Sequence, residues 1–325
     1  MPGFTTHYIF GMKAYNDMPF TPLKHTIAKY RWLYQLGLQG PDMFFYNIPI
    51  LRHRDYRNVG SYMHEHKVNA FFECCLRRIG TIRSRQQQEE AISYLAGFMN
   101  HYIADSICHP YVYGRIGYPV DAPTSMHHGM HAHLENELDA ILLWKYKKKK
   151  PSEFNQTATI CLNGQEIQFI SHFLASCINE TYYPITYRNN FQVTPAMVHR
   201  SIWALRFGCR TLSDKTGKKK FGIAQVESIF VNHPVASAKM VTDSVTDYRS
   251  SCNLNHEAWG NPWDPTRVST ASFVDLFHET LDKCSRVYEL LNSAVTDNVP
   301  LDKQDLLPLL TELGNESYHS GLPVD

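Results

Sequence analysis

At 325 residues, with 43% hydrophobic and 19% charged side chains, the chain has globular composition and enough length for one large core or two ordinary ones. Its formal net charge of +1 gives no electrostatic reason to expect nucleic acid or an anionic membrane as a partner. No run of about eighteen apolar residues occurs, which excludes an expected transmembrane helix. The N-terminus has no basic segment leading into an apolar signal core, so a cytoplasmic location is the expectation. Histidine, at 17 residues, is the compositional outlier. The eight cysteines, at 74, 75, 108, 161, 177, 209, 252 and 284, show no zinc-finger or redox-pair spacing and read as reduced, buried thiols.

In chain order, Met1-Pro2 is a start that methionine aminopeptidase trims, which would leave the Pro2 amine free close to His7. Thr21-Pro22 signals a helix start, and Leu23 to Leu36 carries Ile27, Tyr30, Leu33 and Tyr34 at helical spacing before Gly37 closes it. From Gly37 to Tyr46 every regular pattern breaks. Gly37, Gly40 and Pro41 deliver Asp42 on a tight turn beside Phe44, Phe45 and Tyr46, where a carboxylate is either a cap or aimed into a site. Between Gly60 and Gly80, the residues His64, Val68, Phe71, Phe72 and Cys75 form one helical stripe, which puts His64 on a buried face and His66 off it.

Ser84 is the expected N-cap of a helix whose inner face reads Tyr94, Phe98, His101 and Asp105. His101, Asp105 and His109 are spaced four apart, so a helix holds them within an arc of roughly 80°. Pro110 is expected to end that helix at His109. After a Pro/Gly/Tyr loop over 110–123, Thr124 or Ser125 caps a helix bearing His127, His128, His131, His133 and Glu135. Its basic end, Lys145 and Lys147 to Lys150, complements the helix dipole and reads as solvated. Residues 157–169 alternate around Asn163-Gly164 as a small hairpin would. Helical runs follow at about 165–182, 195–213, 222–232, 271–295 and 303–313, with a loop over Asn253 to Asp264. The whole reads as all-α, a single multi-helix domain, with a metal-binding core in 1–150 and a C-terminal part, 151–325, packed on it.

A histidine on an apolar helix face is commonly a hydrogen-bonded core residue; a set of them beside carboxylates is another matter. Burying several imidazoles and carboxylates together without a cation leaves polar groups and like charges unsatisfied. Face and turn collect His7, Asp42, His64, His101, Asp105, His109, His131 and Glu135, with the Pro2 amine. That is too many donors for one tetrahedral ion and suits two or three, and imidazole mixed with carboxylate favours zinc.

These residues resemble the zinc-dependent phospholipase C family, whose fold is shared with single-strand-specific zinc nucleases. The resemblance is carried by His7, Gly-Pro-Asp42, Met-His64, His101-Tyr-Ile-Ala-Asp105 with His109, and His131-Ala-His-Leu-Glu135-Asn-Glu-Leu-Asp139, in that order over about residues 2–145. It implies an all-helical domain holding a trinuclear zinc cluster. Asp42, His64, His101 and Asp105 would hold one zinc; Pro2, His7 and Asp105 a second, with Asp105 bridging; His109, His131 and Glu135 the third; Asp139 would be a partner behind the ligands. The interval from Asp105 to His109 is four residues where the family usually has six.

The expected activity is hydrolysis of a phosphate ester, most plausibly a phosphodiester, by metal-activated water, with Asp42 holding or deprotonating that water. A phospholipid is one candidate substrate, and Phe44, Phe45, Tyr46 and Trp259 are candidates to line its acyl path. A nucleic-acid substrate is disfavoured, since basic residues interleaved with aromatics are not evident. No His-Asp dipeptide and no His-Glu-x-x-His occurs, which sets aside two other metallohydrolase classes. The alternative is a metal-stabilised helical scaffold without catalysis.

Overall fold

Amphipathic helices with strong caps account for most of the chain, and one of them carries the rest. The computed structural model describes residues 3–46, 59–182, 192–230, 233–234 and 237–325. Its helices are α1 (Phe4–Asp17), α2 (Pro22–Lys29), α3 (Arg31–Gly37), α4 (Val59–Glu65), α5 (Val68–Thr81) and α6 (Arg85–Arg115). They continue with α7 (Ser125–Lys147), α8 (Gly164–Thr181), α9 (Pro195–Leu212) and α10 (Lys218–Phe230), and end with α11 (Phe273–Thr296) and α12 (Leu307–Leu313). Two short strands pair antiparallel: Trp259–Asn261, inside the stretch Asn253 to Asp264 expected to be loop, and Asp264–Ser269, which runs on from its end. No helix of the described residues is long and apolar enough to cross a membrane.

The central element is α6, 31 residues and roughly 46 Å long at the usual rise. Ser84 starts it as expected, accepting from Gln87 N at 3.4 Å. Helices α3, α11, α1 and α2 pack around it. Gly37 and Gly97 let α3 and α6 touch backbone to backbone: a Cβ on either would sit 2.1 Å from a carbonyl oxygen of the other helix. Gly37 therefore marks a helix crossing as well as a helix end. One apolar core includes Phe98 and Tyr102 on α6, and a second includes Ala104, Cys108 and Tyr111.

Four local expectations are corrected. Pro110 does not end the helix at His109; α6 runs on to Arg115. Its stop is Gly117, at φ +59°, with Tyr118 N donating to Tyr113 O (3.0 Å) and Gly117 N to Gly114 O (3.1 Å). Proline removes one hydrogen bond, and the buried surface on both sides of α6 outweighs it. Secondly, the run Leu23 to Leu36 is two helices, because Tyr30, at φ −114° and ψ 41°, departs from helical geometry; its carbonyl accepts from Ser93 Oγ at 3.0 Å as well as from Leu33 N and Tyr34 N. Thirdly, the stripe from His64 to Cys75 is divided between α4 and α5 by Lys67 at φ 49°. Fourthly, Asn163-Gly164 is no hairpin turn. The Asn163 side chain accepts from Glu166 N (2.9 Å) and the Glu166 carboxylate from Asn163 N (2.8 Å), a capping box that starts α8. All eight cysteines are free, six of them buried, but Cys161 is exposed, in the segment between Thr159 and α8, and Cys74 only half-buried.

Candidate metal centre

Five elements converge at the C-terminal half of α6. His7 comes from α1, Asp42 from the 3-10 turn Gly40–Tyr46, His64 from α4, His101, Asp105 and His109 from α6, and His131 with Glu135 from α7. The four-residue spacings work as helix geometry requires, one side chain above the next. Gly40, at φ +46°, makes the Asp42 turn possible, and a Cβ there would lie 2.2 Å from the His101 ring. His7, His64, His101, Asp105 and His109 are all 0% exposed and Asp42 is 5% exposed.

Two groups of donors form. In the first, Asp42, His64, His101 and Asp105 each offer an atom within 4.8 Å of the others. His64 Nε2 lies 3.2 Å from Asp42 Oδ1, and His101 Nε2 lies 3.2 Å from Asp105 Oδ2. In the second, His109, His131 and Glu135 come together in the same way, with His109 Nε2 3.6 Å and His131 Nε2 2.7 Å from Glu135 Oε1. Asp105 links the two, its Oδ1 being 3.6 Å from His109 Nδ1 and 3.1 Å from His7 Nε2. His7 stacks on His101 with ring centres 4.0 Å apart. Pro2 lies outside the described residues.

The backbone fixes which ring atom faces inward. His64 Nδ1 meets Gly60 O at 2.6 Å, His101 Nδ1 meets Leu38 O at 3.1 Å and His109 Nδ1 meets Tyr318 O at 2.8 Å. A carbonyl can only accept, so each Nδ1 carries the proton and each Nε2 is left with its lone pair toward the centre. His64, His101 and His109 Nε2, Asp42 Oδ1 and both oxygens of Asp105 are buried without a hydrogen bond. Converging lone pairs with nothing to accept from are what a bound cation would satisfy, so the residues present fit a metal.

The electrostatics agree. Burial alone would raise the Asp105 carboxyl, but the imidazoles of His101, His109 and His7 hold it well below the usual range. Glu135, likewise opposed by burial, is held well below its usual range by His131. Burial lowers His7, and it lowers His109 to about 4, so both stay neutral and able to ligate. Burial also presses on His64, but the facing carboxylates of Asp105 and Asp42 raise it to about 9, a proton that a cation would displace.

Asp139 lies behind the donors. Its Oδ2 accepts from Thr5 N (3.1 Å) and its Oδ1 from Thr6 N (2.7 Å), so it caps the start of α1, whose own N-cap residue, Gly3, has no side chain to do so. That cap sits directly before His7. Burial raises Asp139 to about 6 in spite of these bonds. The remaining histidines of α7 stay outside the centre: His127 forms the capping box with Thr124, His128 is exposed, and His133 faces Glu137.

Two residues escaped the sequence reading. Tyr318 supplies the carbonyl for His109, donates its own N–H to His64 O at 2.9 Å and lays its ring 4.7 Å from that of His64. His319 stacks on His109 at 5.6 Å and 8°, stands 5.0 Å from His64, and bonds through Nδ1 to Tyr113 Oη at 2.9 Å. No periodicity marks this segment, and its place is set only by the folded chain.

A cleft of about 610 Å³ opens against the centre, reaching Asp42 and Glu135 and walled by Phe45, Tyr46, Trp203 and Phe207. Phe44 is not part of it, being core, and Trp259 packs on Tyr111 in the second core. Residues 6–186 match the model of a family described as zinc dependent phospholipase C. The match takes in every donor from His7 to Glu135 and stops before Trp203, Phe207 and His319. No curated protein and no solved structure matches the chain.

Proposed function

The chain belongs to the zinc-dependent phospholipase C family, and from that premise we propose that it is a phosphodiesterase of phospholipase C type acting on a lipid phosphate ester. Asp42, His64, His101 and Asp105 would hold one zinc ion, and His109, His131 and Glu135 another. His7 and Asp105 would share a third, with Pro2 as their further candidate ligand. Zinc so held supplies Lewis acidity, lowering the pKa of water and neutralising charge on phosphoryl oxygens.

The protein's part is positioning and proton handling. Asp42 reaches the cleft from a turn that Gly40 permits, and its Oδ1 has no hydrogen bond; it orients the attacking water and takes its proton. The carbonyls of Gly60, Leu38 and Tyr318 keep His64, His101 and His109 from rotating away. Phe45, Tyr46, Trp203 and Phe207 receive the apolar part of the substrate and exclude water from the reacting phosphate. The observation that carries the reading is the set of buried lone pairs converging without hydrogen bonds beside an apolar cleft.

The test is metal content by plasma mass spectrometry together with hydrolysis of bis-p-nitrophenyl phosphate, before and after chelation. Two or three zinc per chain and chelator-sensitive turnover are expected. Stoichiometric zinc with no turnover of any phosphoester would support the non-catalytic scaffold instead, and less than one metal per chain would remove the cluster altogether.

A further inference from the structure

The near-zero net charge conceals a concentration of positive charge, part of it local to the run from Lys215 to Lys220 and part assembled by the fold. Beside the first cleft lies a second cavity, of about 700 Å³, and the two share Gln156, Cys209 and Val241 as a common wall. Arg200 and Lys239 line the first; Arg210, Lys215 and Lys219 line the second. Helix α10 begins at the same place with Lys218, Lys219 and Lys220, and packs on the turn Ser237–Lys239 that brings Lys239 to the cleft. Among the described residues none of these seven cations forms an ion pair with a carboxylate. The two acids of the second cavity accept from backbone N–H groups: Asp214 from Lys220 N (2.8 Å), in the same lysine run, and Glu153 from Lys150 N (2.9 Å).

Three lysines in a first helical turn stand at the positive end of the dipole, the unfavourable end for a cation. On the same helix Phe221, Val226 and Ile229 are 66%, 57% and 75% exposed, and no residue from 218 to 229 is buried. Trp203 and Phe207, stacked with centres 5.3 Å apart, stand exposed at the mouth of the first cleft. Exposed apolar side chains interleaved with lysines that have no carboxylate partner combine the two attractions, apolar and electrostatic, that hold a protein at an anionic lipid surface. A soluble partner with an acidic groove would meet the cations but leave this apolar row in water.

We propose that this face docks on an anionic phospholipid bilayer. Phe221, Val226 and Ile229 seat at the boundary of head groups and acyl chains, while Lys218 to Lys220, Lys215 and Arg210 neutralise lipid phosphates. The first cleft then opens onto the surface. Docking stands on this face alone; its meaning as the route of substrate to the centre rests on the phosphodiesterase reading.

The test is co-sedimentation of the full chain with sucrose-loaded vesicles of phosphatidylcholine, with and without phosphatidylglycerol, at low and high salt. Binding is expected only with the anionic lipid and is expected to fall as salt rises. The triple variant K218E/K219E/K220E is expected to lower affinity by about a hundredfold, three lysines at about fivefold each. F221S/I229S is expected to lower it by about tenfold, with circular dichroism, metal content and hydrolysis of bis-p-nitrophenyl phosphate unchanged. Equal binding to neutral vesicles, equal binding by both variants, or stronger binding of a single-stranded oligonucleotide would overturn the proposal. Vesicle binding by a protein that turns over no ester would sustain the docking and sink only the phosphodiesterase reading.

Discussion

In the donor centre, imidazoles and carboxylates are withdrawn from water, and three of the rings are locked by backbone carbonyls. On the outer face, cations and aromatic rings stand out to solvent with few partners. The first arrangement is rigid and costly without a cation; the second is open and costs little until something covers it. Both border the same cleft, so chemistry and access are separable by mutation.

The sharpest break of that comparison is Asp105→Asn. It removes the charge common to both donor groups, and zinc content and turnover are expected to fall by more than about 100-fold, beyond the range typical of groups behind the ligands. Vesicle binding is expected to stay as in the parent. Smaller is Asp139→Ala, which strips both N–H bonds from the start of α1 and is expected to cost about 2 kcal/mol in denaturant unfolding. Its titration sharpens the point. Burial raises Asp139 to about 6, so the neutral carboxyl is favoured in the fold; its contribution is full below the unfolded value near 3.9 and is lost as pH rises through 6. Chelated parent protein should therefore lose stability relative to Asp139→Asn between those two values and run parallel to it above. Smallest is the pair Trp203→Ala with Phe207→Ala: KM for a long-chain phospholipid is expected to rise by about tenfold with zinc content unaltered. A matched fall in metal would instead place these rings in the centre's support.

The donor centre was largely legible because its spacing is local. His101, Asp105 and His109 share a helix, as do His131 and Glu135, and helix periodicity alone places each set on one face. Asp42 was legible for a different reason, since Gly40 and Pro41 leave the chain little choice there. The helix ends were less so. Pro110 was overruled by packing on both sides of α6, and Asn163-Gly164 served as a cap because Glu166 closed the box. Tyr318 and His319 were not legible at all: their partners His64, Tyr113 and His109 lie more than 200 positions away, and no local pattern encodes such a contact.

An all-α chain, the helical spacing of the candidate donors and the family were readable from the sequence, because helix period and residue chemistry are short-range properties. Folding set which lone pairs face one another, which carbonyls hold the rings, and that Arg200, Arg210 and Lys239 join the run from Lys215 to Lys220 around two adjoining cavities. A net charge is a sum and carries no positions. Only folding assigns them, through contacts whose order along the chain the amino-acid pattern does not record.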